Sequence, residues 1–303
     1  MSETSLGTVA ARNLATTTKT PPHAQAVTPR WLLRILPWID VDGGAYRLTR
    51  TTRRALERHG SDQLGVVTTA GHAGEVRLPS MFVDYETPAR EYELSVAQTV
   101  LRVHNRVDEL YNDPMPQFDE QLRLTVDALR ERQEHELLHN ADFGLLRNVA
   151  PRHSIRARSG APSPADLDNL VAKQTRPRYL LAHPHAIAAF SRQCNLSRVR
   201  PELTQMGGQR VLLWRGVPLL PCDKLPISPE RKSTILVLRP GEDRQGVIGL
   251  RPTELPDQLE PGISVRKMGT DMQAVTSYLV SAYYAAAMLI PNCVCALTGV
   301  FVD

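Results

Sequence analysis

His135-Glu136-Leu137-Leu138-His139 carries the residue types and spacing of a zinc hydrolase centre. On a helix, HExxH sets two imidazoles one turn apart as metal ligands and leaves the glutamate to activate water. Such a centre needs a third protein ligand. The extended form of the motif would place a glycine and then a histidine where Asp142 and Leu145 stand, and no glutamate occurs between Glu136 and Glu202. At about 100° per residue, His135 and His139 fall opposite the apolar stripe of Leu122, Val126 and Leu129, so they are expected on an outward polar face, solvated or between subunits. A zinc-dependent metallopeptidase is therefore kept only as the alternative reading. His183 and His185 flank Pro184, and a proline at a helix start makes capping their simpler role. No GxGxxG, P-loop or GxSxG is present. The sequence assigns no catalytic, cofactor-binding or metal-ligating residue.

The four cysteines, Cys194, Cys222, Cys293 and Cys295, include one CxC pair, which is half a structural zinc site with nothing nearby to complete it. Their scatter through 303 residues argues for reduced thiols rather than a disulfide framework. With 36 basic residues interleaved among 32 acidic ones, the net charge is only +4, so no nucleic-acid partner is expected. Residues 1–20 lack a basic start followed by an apolar block, so no secretory signal is read there.

The elements that would position these groups follow from patterning. Residues 1–29 are rich in Thr, Ser, Ala and Pro without an aromatic residue, an arm that cannot build its own core. Trp31, Leu32, Leu33, Ile35, Leu36 and Trp38 then form a sticky patch, either a short helix docked on its own subunit or a strap onto a neighbour. Between 45 and 92 the chain reads as extended: Tyr46 to Thr49, Gly65 to Thr69, a turn at His72-Ala73-Gly74, and Val76 to Tyr85. Helical spacing is read at Leu94, Ala97, Leu101 and His104, continuing to Leu110, and again over about Phe118 to Asn140.

Ser163-Pro164-Ala165-Asp166 has the N-cap, N1 proline and N3 acid of a helix start. His183-Pro184 opens another helix, and Glu202 to Met206 reads as a helical turn stopped by Gly207-Gly208. Val211 to Trp214 and Val217 to Leu220 flank Arg215-Gly216 at hairpin spacing, with Pro218 and Pro221 suggesting an edge strand. Ile235 to Leu238 and Val247 to Leu250 read as strands. No charged residue lies between Met272 and Val302, and Tyr278 to Ile290 is nearly continuous apolar sequence. Interrupting Ser277, Ser281 and Asn292, with Pro291, favour a buried C-terminal helix over a membrane span. Val300 to Val302 reads as a short terminal strand. The mixture lacks regular alternation, so the class is α+β.

The order of arm, extended loop, long helix and mixed region resembles the Hong Kong 97-type phage major capsid fold. More specifically, the chain resembles a family 2A encapsulin shell protein. The blocks that carry the resemblance are TKTPP at Thr18, TPRWLLRILPW at Thr28, MFVDYETPAREYELS at Met81 and EQLRLTVDALRERQEHELL at Glu120. They continue with FGLLRNVAP at Phe143, GAPSPADLDNL at Gly160, LAHPHAIAAF at Leu181, WRGVPLLPCDKLP at Trp214 and RQGVIGL at Arg244. The resemblance implies a bacterial cytoplasmic nanocompartment, an icosahedral homo-oligomer of sixty copies in its simplest form, with no catalysis and no cofactor of its own. It implies a cargo cysteine desulfurase, a pyridoxal phosphate enzyme of sulfur metabolism, on the interior.

It also implies a domain plan: an N-terminal arm over 1–44, an extended loop and start of the peripheral domain over 45–92, and a peripheral domain with its spine helix over 93–149. An axial domain follows over 150–250, and 251–303 returns to the peripheral domain with a C-terminal helix. By position in the axial domain, Asn195, Leu196, Ser197, Arg198, Val199 and Arg200 are the expected pore-lining loop. Trp31, Leu32, Ile35 and Trp38 are the expected inter-subunit arm contacts.

Overall fold

A computed structural model describes residues 28–49, 89–104, 117–158 and 160–302. The arm over 1–27 and the extended segments at 65–69, 72–74 and 76–85 lie outside the described residues. The chain opens with α1 (Trp31–Ile35) and β1 (Trp38–Val41). A compact unit of its own, residues 45–93, contributes the antiparallel pair β2 (Ala45–Leu48) and β3 (Arg90–Glu93), with an ion pair from Arg47 to Glu91 at 2.7 Å. The expected strand at Tyr46 is thus present.

The remaining described elements belong to the other unit. In chain order they are β4 (Ser95–His104), α2 (Gln117–His139), β5 (Ser154–Arg156), α3 (Pro164–Lys173), β6 (Tyr179–Ala182), α4 (Pro184–Leu196), β7 (Glu202–Met206) and β8 (Gln209–Trp214). They continue with β9 (Val217–Pro221), β10 (Lys232–Leu238), β11 (Val247–Pro252), β12 (Gln258–Glu260), β13 (Ile263–Thr270), β14 (Val275–Met288) and β15 (Val294–Phe301). The α+β class expected from the sequence is the class observed.

One sheet runs β1-β11-β14-β13-β12, with β4 also paired to β14. Here two helical expectations fail. The Leu94 to His104 spacing forms β4, which pairs along its length with β14 from Ser95 opposite Tyr284 to His104 opposite Val275. Buried Leu101 and Val103 alternate with exposed Arg102, a period of two that three apolar residues at helical spacing had masked. The charge-free C-terminal run is likewise no helix: β14 is a strand of 14 residues paired to β4, β13 and β11. Its segment Tyr284 to Met288 is buried without alternation, as a strand covered on both faces must be.

The small side chains there have a packing reason. Ala286 pairs with Gly249, and the Trp38 indole lies so close to Gly249 that a Cβ would come within 2.8 Å of it. Among the described residues no helix is long and apolar enough to cross a membrane. Helix α2, of 23 residues, lies across β4 and β14, with the Phe118 and Tyr278 rings 4.7 Å apart.

The second sheet runs β5-β15-β10-β6-β9-β8-β7. β15 fills a place beside β10, so residues 294–301 belong to this sheet, while β11 and β14 belong to the first. Helix α3 starts as expected: Ser163 Oγ accepts from the Asp166 amide at 3.2 Å, and Asp166 Oδ2 accepts from the Ser163 amide at 3.1 Å, a complete capping box. Helix α4 is capped by His183, whose Nδ1 accepts from the His185 amide at 3.2 Å. Leu167 and Leu170 of α3 and Ala186, Phe190 and Cys194 of α4 face the sheet to form its core, with Phe190 edge-on to Trp214 at 5.0 Å.

Glu202 to Met206 is strand β7 and not a helical turn. Gly207 and Gly208 do not stop a helix; both take positive φ, +56° and +80°, as a tight turn joining Met206 to Gln209. The Arg215-Gly216 hairpin is as expected, with φ of +49° and +78° and Trp214 opposite Val217. The edge-strand expectation is corrected, because β9 lies between β6 and β8. Its prolines are tolerated by register. Pro218 follows the first hydrogen-bonded pair of the hairpin, so its nitrogen faces β6, whose pairing with β9 begins only at Leu219. The Pro221 nitrogen faces β8, whose pairing has ended at Leu219.

Candidate functional surfaces

Three surfaces follow from the residues singled out above. The first contains the HExxH residues. α2 presents Glu131, His135 and His139 to the segment after β9, and with His183 these side chains line a cleft of about 530 Å³ around Asp223 and Lys224. The expectation of an outward face is corrected in degree, since both histidines are only half-exposed. The His135 and His139 rings stack with centroids 4.3 Å apart, and His139 Nε2 donates to the Lys224 carbonyl at 2.7 Å.

Glu136 does not face a metal. It pairs with Arg132 at 2.6 Å and accepts from Asn140 at 3.1 Å. Among the described residues, no group of three or more His, Cys, Asp or Glu side chains is placed to hold a metal ion. The metallopeptidase alternative fails on this geometry: one imidazole nitrogen is spent on a carbonyl, the glutamate is spent on an arginine, and the third ligand is missing.

What the cleft does instead is clamp. The Lys224 ammonium, with 7% of its side chain exposed, is paired to Asp223 at 2.8 Å and to Glu131. Burial works against its charge, but the hydrogen bonds and fields of Asp223 and Glu131 together outweigh that and hold its pKa above the ordinary lysine value. Asp223 also accepts from Thr28 Oγ1 at 2.6 Å, tying the chain before α1 to the same point. His135 is pushed below the ordinary histidine value by burial first, then by His139, Arg132 and Lys224. The four cysteines are free and buried, and burial raises the Cys194 thiol to about 11 and the Cys222 thiol to about 12, which makes them inert as nucleophiles.

The second surface is the apolar patch near the start. Trp31 and Leu32 are buried against α2 of the same chain, while Ile35 and Trp38 are half-buried. Of the two readings of the patch, the docked helix holds for Trp31 and Leu32. Glu134, 0% exposed, supplies the anchor: its two carboxylate oxygens accept from the Leu32 and Leu33 amides. The sequence reading missed Glu134, although a glutamate three and four residues before buried Leu137 and Leu138 shares their side of the helix and so needs a partner.

The third surface is the end of α4. Asn195, Leu196, Ser197, Arg198 and Arg200 are exposed, Leu196 at 76%, while Val199 packs on the core and pins the loop. Arg198 takes φ +55°, and its amide donates to the Asn195 carbonyl at 3.1 Å. The two arginines thus stand on either side of a fixed valine.

Comparison with known proteins completes the picture. A family model described as Type 2A encapsulin shell protein SrpI-like matches residues 49–303. A Synechococcus elongatus protein named Type 2A encapsulin shell protein SrpI is 44% identical over 293 residues, covering 96% of this chain and 92% of the relative. A Mycobacterium leprae type 2A encapsulin shell protein is 42% identical over 299 residues, covering 98% and 95%. Among solved structures, the holo-SrpI encapsulin complex of Synechococcus elongatus superposes with a TM-score of 0.82 at 42% identity over 99% of this chain and 97% of that one. The capsid of a native GTA particle gives 0.60 at 12% identity over 94% and 95%, a likeness of fold alone.

Proposed function

The chain belongs to the type 2A encapsulin shell proteins, and on that premise we propose that sixty copies close into an icosahedral shell around a cysteine desulfurase that handles sulfur in the bacterial cytoplasm. It is a structural shell subunit of a nanocompartment, not an enzyme, and its fold is that of the capsids and encapsulins it superposes on. The observation that carries the proposal is the 0.82 superposition, over nearly the whole of both chains, on a shell solved as a holo complex. Four buried free thiols support a reducing compartment.

The shell carries no cofactor in this reading, and pyridoxal phosphate belongs to the cargo. In the assembled particle the 150–250 region takes the axial position, and Asn195, Leu196, Ser197, Arg198, Val199 and Arg200 line the pore. Support comes from the exposed loop pinned at Val199. Among the described residues neither Arg198 nor Arg200 has an ion-pair partner in its own chain, so a ring of them would attract small anions. The inter-subunit role first read for Trp31, Leu32, Ile35 and Trp38 narrows to the half-exposed Ile35 and Trp38.

Isolation of the particle from its native cell tests the cargo. A co-purifying protein with the absorbance of bound pyridoxal phosphate, released only on shell disruption, is the expected result. A particle that repeatedly carries a different protein refutes the cargo assignment and leaves the shell assignment intact.

A further inference from the structure

Four arginines from four separate places in the chain line one cleft: Arg30 before α1, Arg34 in its last turn and reaching the Gly207 turn, Arg130 on α2 and Arg251 on β11. Trp38 and Tyr283 complete its walls, and the volume is about 270 Å³. Three of the guanidiniums have an acid each: Arg30 contacts Asp127 at 3.1 Å, Arg251 contacts Asp40 at 2.5 Å, and Arg130 is paired to Glu260. Among the described residues Arg34 has no ion-pair partner, so the cleft holds an excess positive charge. Each guanidinium has five N–H donors, and the acids engage only part of them.

The walls are fixed before any ligand arrives. Trp38 Nε1 donates to the Leu33 carbonyl at 3.1 Å, and Arg30 Nη1 donates to the Asp127 carbonyl at 3.0 Å. Gly262, at φ +80°, lets the β12–β13 turn pass the Tyr283 carbonyl so closely that a Cβ would stand 3.2 Å from it. Burial first, and then the neighbouring Arg30 charge, lowers the Arg130 pKa, against the field of Asp127. An anion between the two arginines would relieve their repulsion.

We propose that this cleft is a binding site for a small tetrahedral oxyanion of the phosphate or sulfate class, held chiefly by Arg34 and Arg130. The volume lies at or below the low end of the range for organic ligands, about 300–1,000 Å³, which suits a single small anion with its waters better than a peptide or a nucleotide. Planar guanidinium forks are the donors best matched to such oxygens.

The test is calorimetric titration of the assembled shell with inorganic phosphate, sulfate and, as a planar carboxylate arm, acetate, at matched ionic strength. Phosphate or sulfate is expected to bind saturably, one per chain, in the millimolar range or tighter. Arg34→Ala, which removes no protein ion pair, is expected to weaken binding by about tenfold or more, as loss of a charge-assisted contact does. Arg215→Ala, which removes a positive charge far from the cleft in the chain, is expected to leave it unchanged. No saturable binding, equal loss in both variants, or acetate binding as tightly as phosphate would each overturn the proposal.

Discussion

Glu134 and Leu32, 102 positions apart, are joined where Glu134 Oε1 accepts the Leu32 amide at 2.9 Å, and Oε2 takes the next amide, Leu33, at 3.0 Å. One buried side chain thereby satisfies two amides at the start of α1 that no helical carbonyl reaches. It also fixes where the chain leaving the N-terminal segment meets the long helix.

That placement makes stability depend on pH. Burial pushes the Glu134 carboxyl up to about 7, against the opposing pull of the Leu32 and Leu33 amides and of Lys224. A carboxyl raised in the folded state from about 4.5 binds its proton more tightly folded than unfolded. Its contribution is therefore largest at low pH and falls as pH rises from about 4.5 through 7, by roughly 3 kcal/mol in all. Thermal melts between pH 5 and pH 8 should show this fall, and Glu134→Gln should flatten it. An unchanged slope in the variant would remove Glu134 as its source.

Phe190 is completely buried and meets Trp214 edge to face at 5.0 Å in the core between α4 and the seven-stranded sheet. Phe190→Ala should destabilise the subunit by about 3–5 kcal/mol, through lost burial and the cavity left behind. Denaturant titration of the dissociated subunit would read this directly, and a loss under about 1 kcal/mol would mean that the core collapses to fill the gap.

Zinc should be absent from the HExxH residues. Protein purified without chelators is expected to carry less than about a tenth of an equivalent per chain, since a closed structural site would retain its metal. His139→Ala should change stability by the loss of its bond to the Lys224 carbonyl while leaving metal content unaltered. A full equivalent that disappears in His139→Ala would restore the metal reading.

Flux through the shell tests the pore assignment. Arg198→Glu combined with Arg200→Glu would turn a basic ring acidic, and the encapsulated enzyme should then use an anionic substrate more slowly while a neutral one is unaffected. Equal rates for wild type and variant on both substrates would place the pore elsewhere.

Much of the fold was legible where local chemistry dominates. Ser163 with Asp166, His183 before Pro184, and Arg215-Gly216 each specify their structure within four residues, and each is found as read. β7 pairs locally with β8, through a Gly207-Gly208 turn that by sequence also fits a helix stop. β4 and the end of β14 are instead defined by partners distant in sequence, and Ala285 to Ala287 looks helical until Leu250, Gly249 and Ile248 are seen beside it. Periodicity cannot separate a strand buried on both faces from a buried helix. For the surfaces, the HExxH spacing was visible but its meaning was not. What decides it is the Lys224 carbonyl on His139, 85 residues away, and the Arg132 guanidinium on Glu136. The four-arginine cleft was invisible for the same reason, since Arg34 and Arg251 meet only through the sheet.

The central claim is that this chain closes with copies of itself into a hollow container. Negative-stain imaging of the purified protein at micromolar concentration, with size-exclusion chromatography of the same sample, tests it most directly. The account predicts uniform closed particles eluting near the void volume. A folded monomer or dimer that persists under those conditions would contradict it.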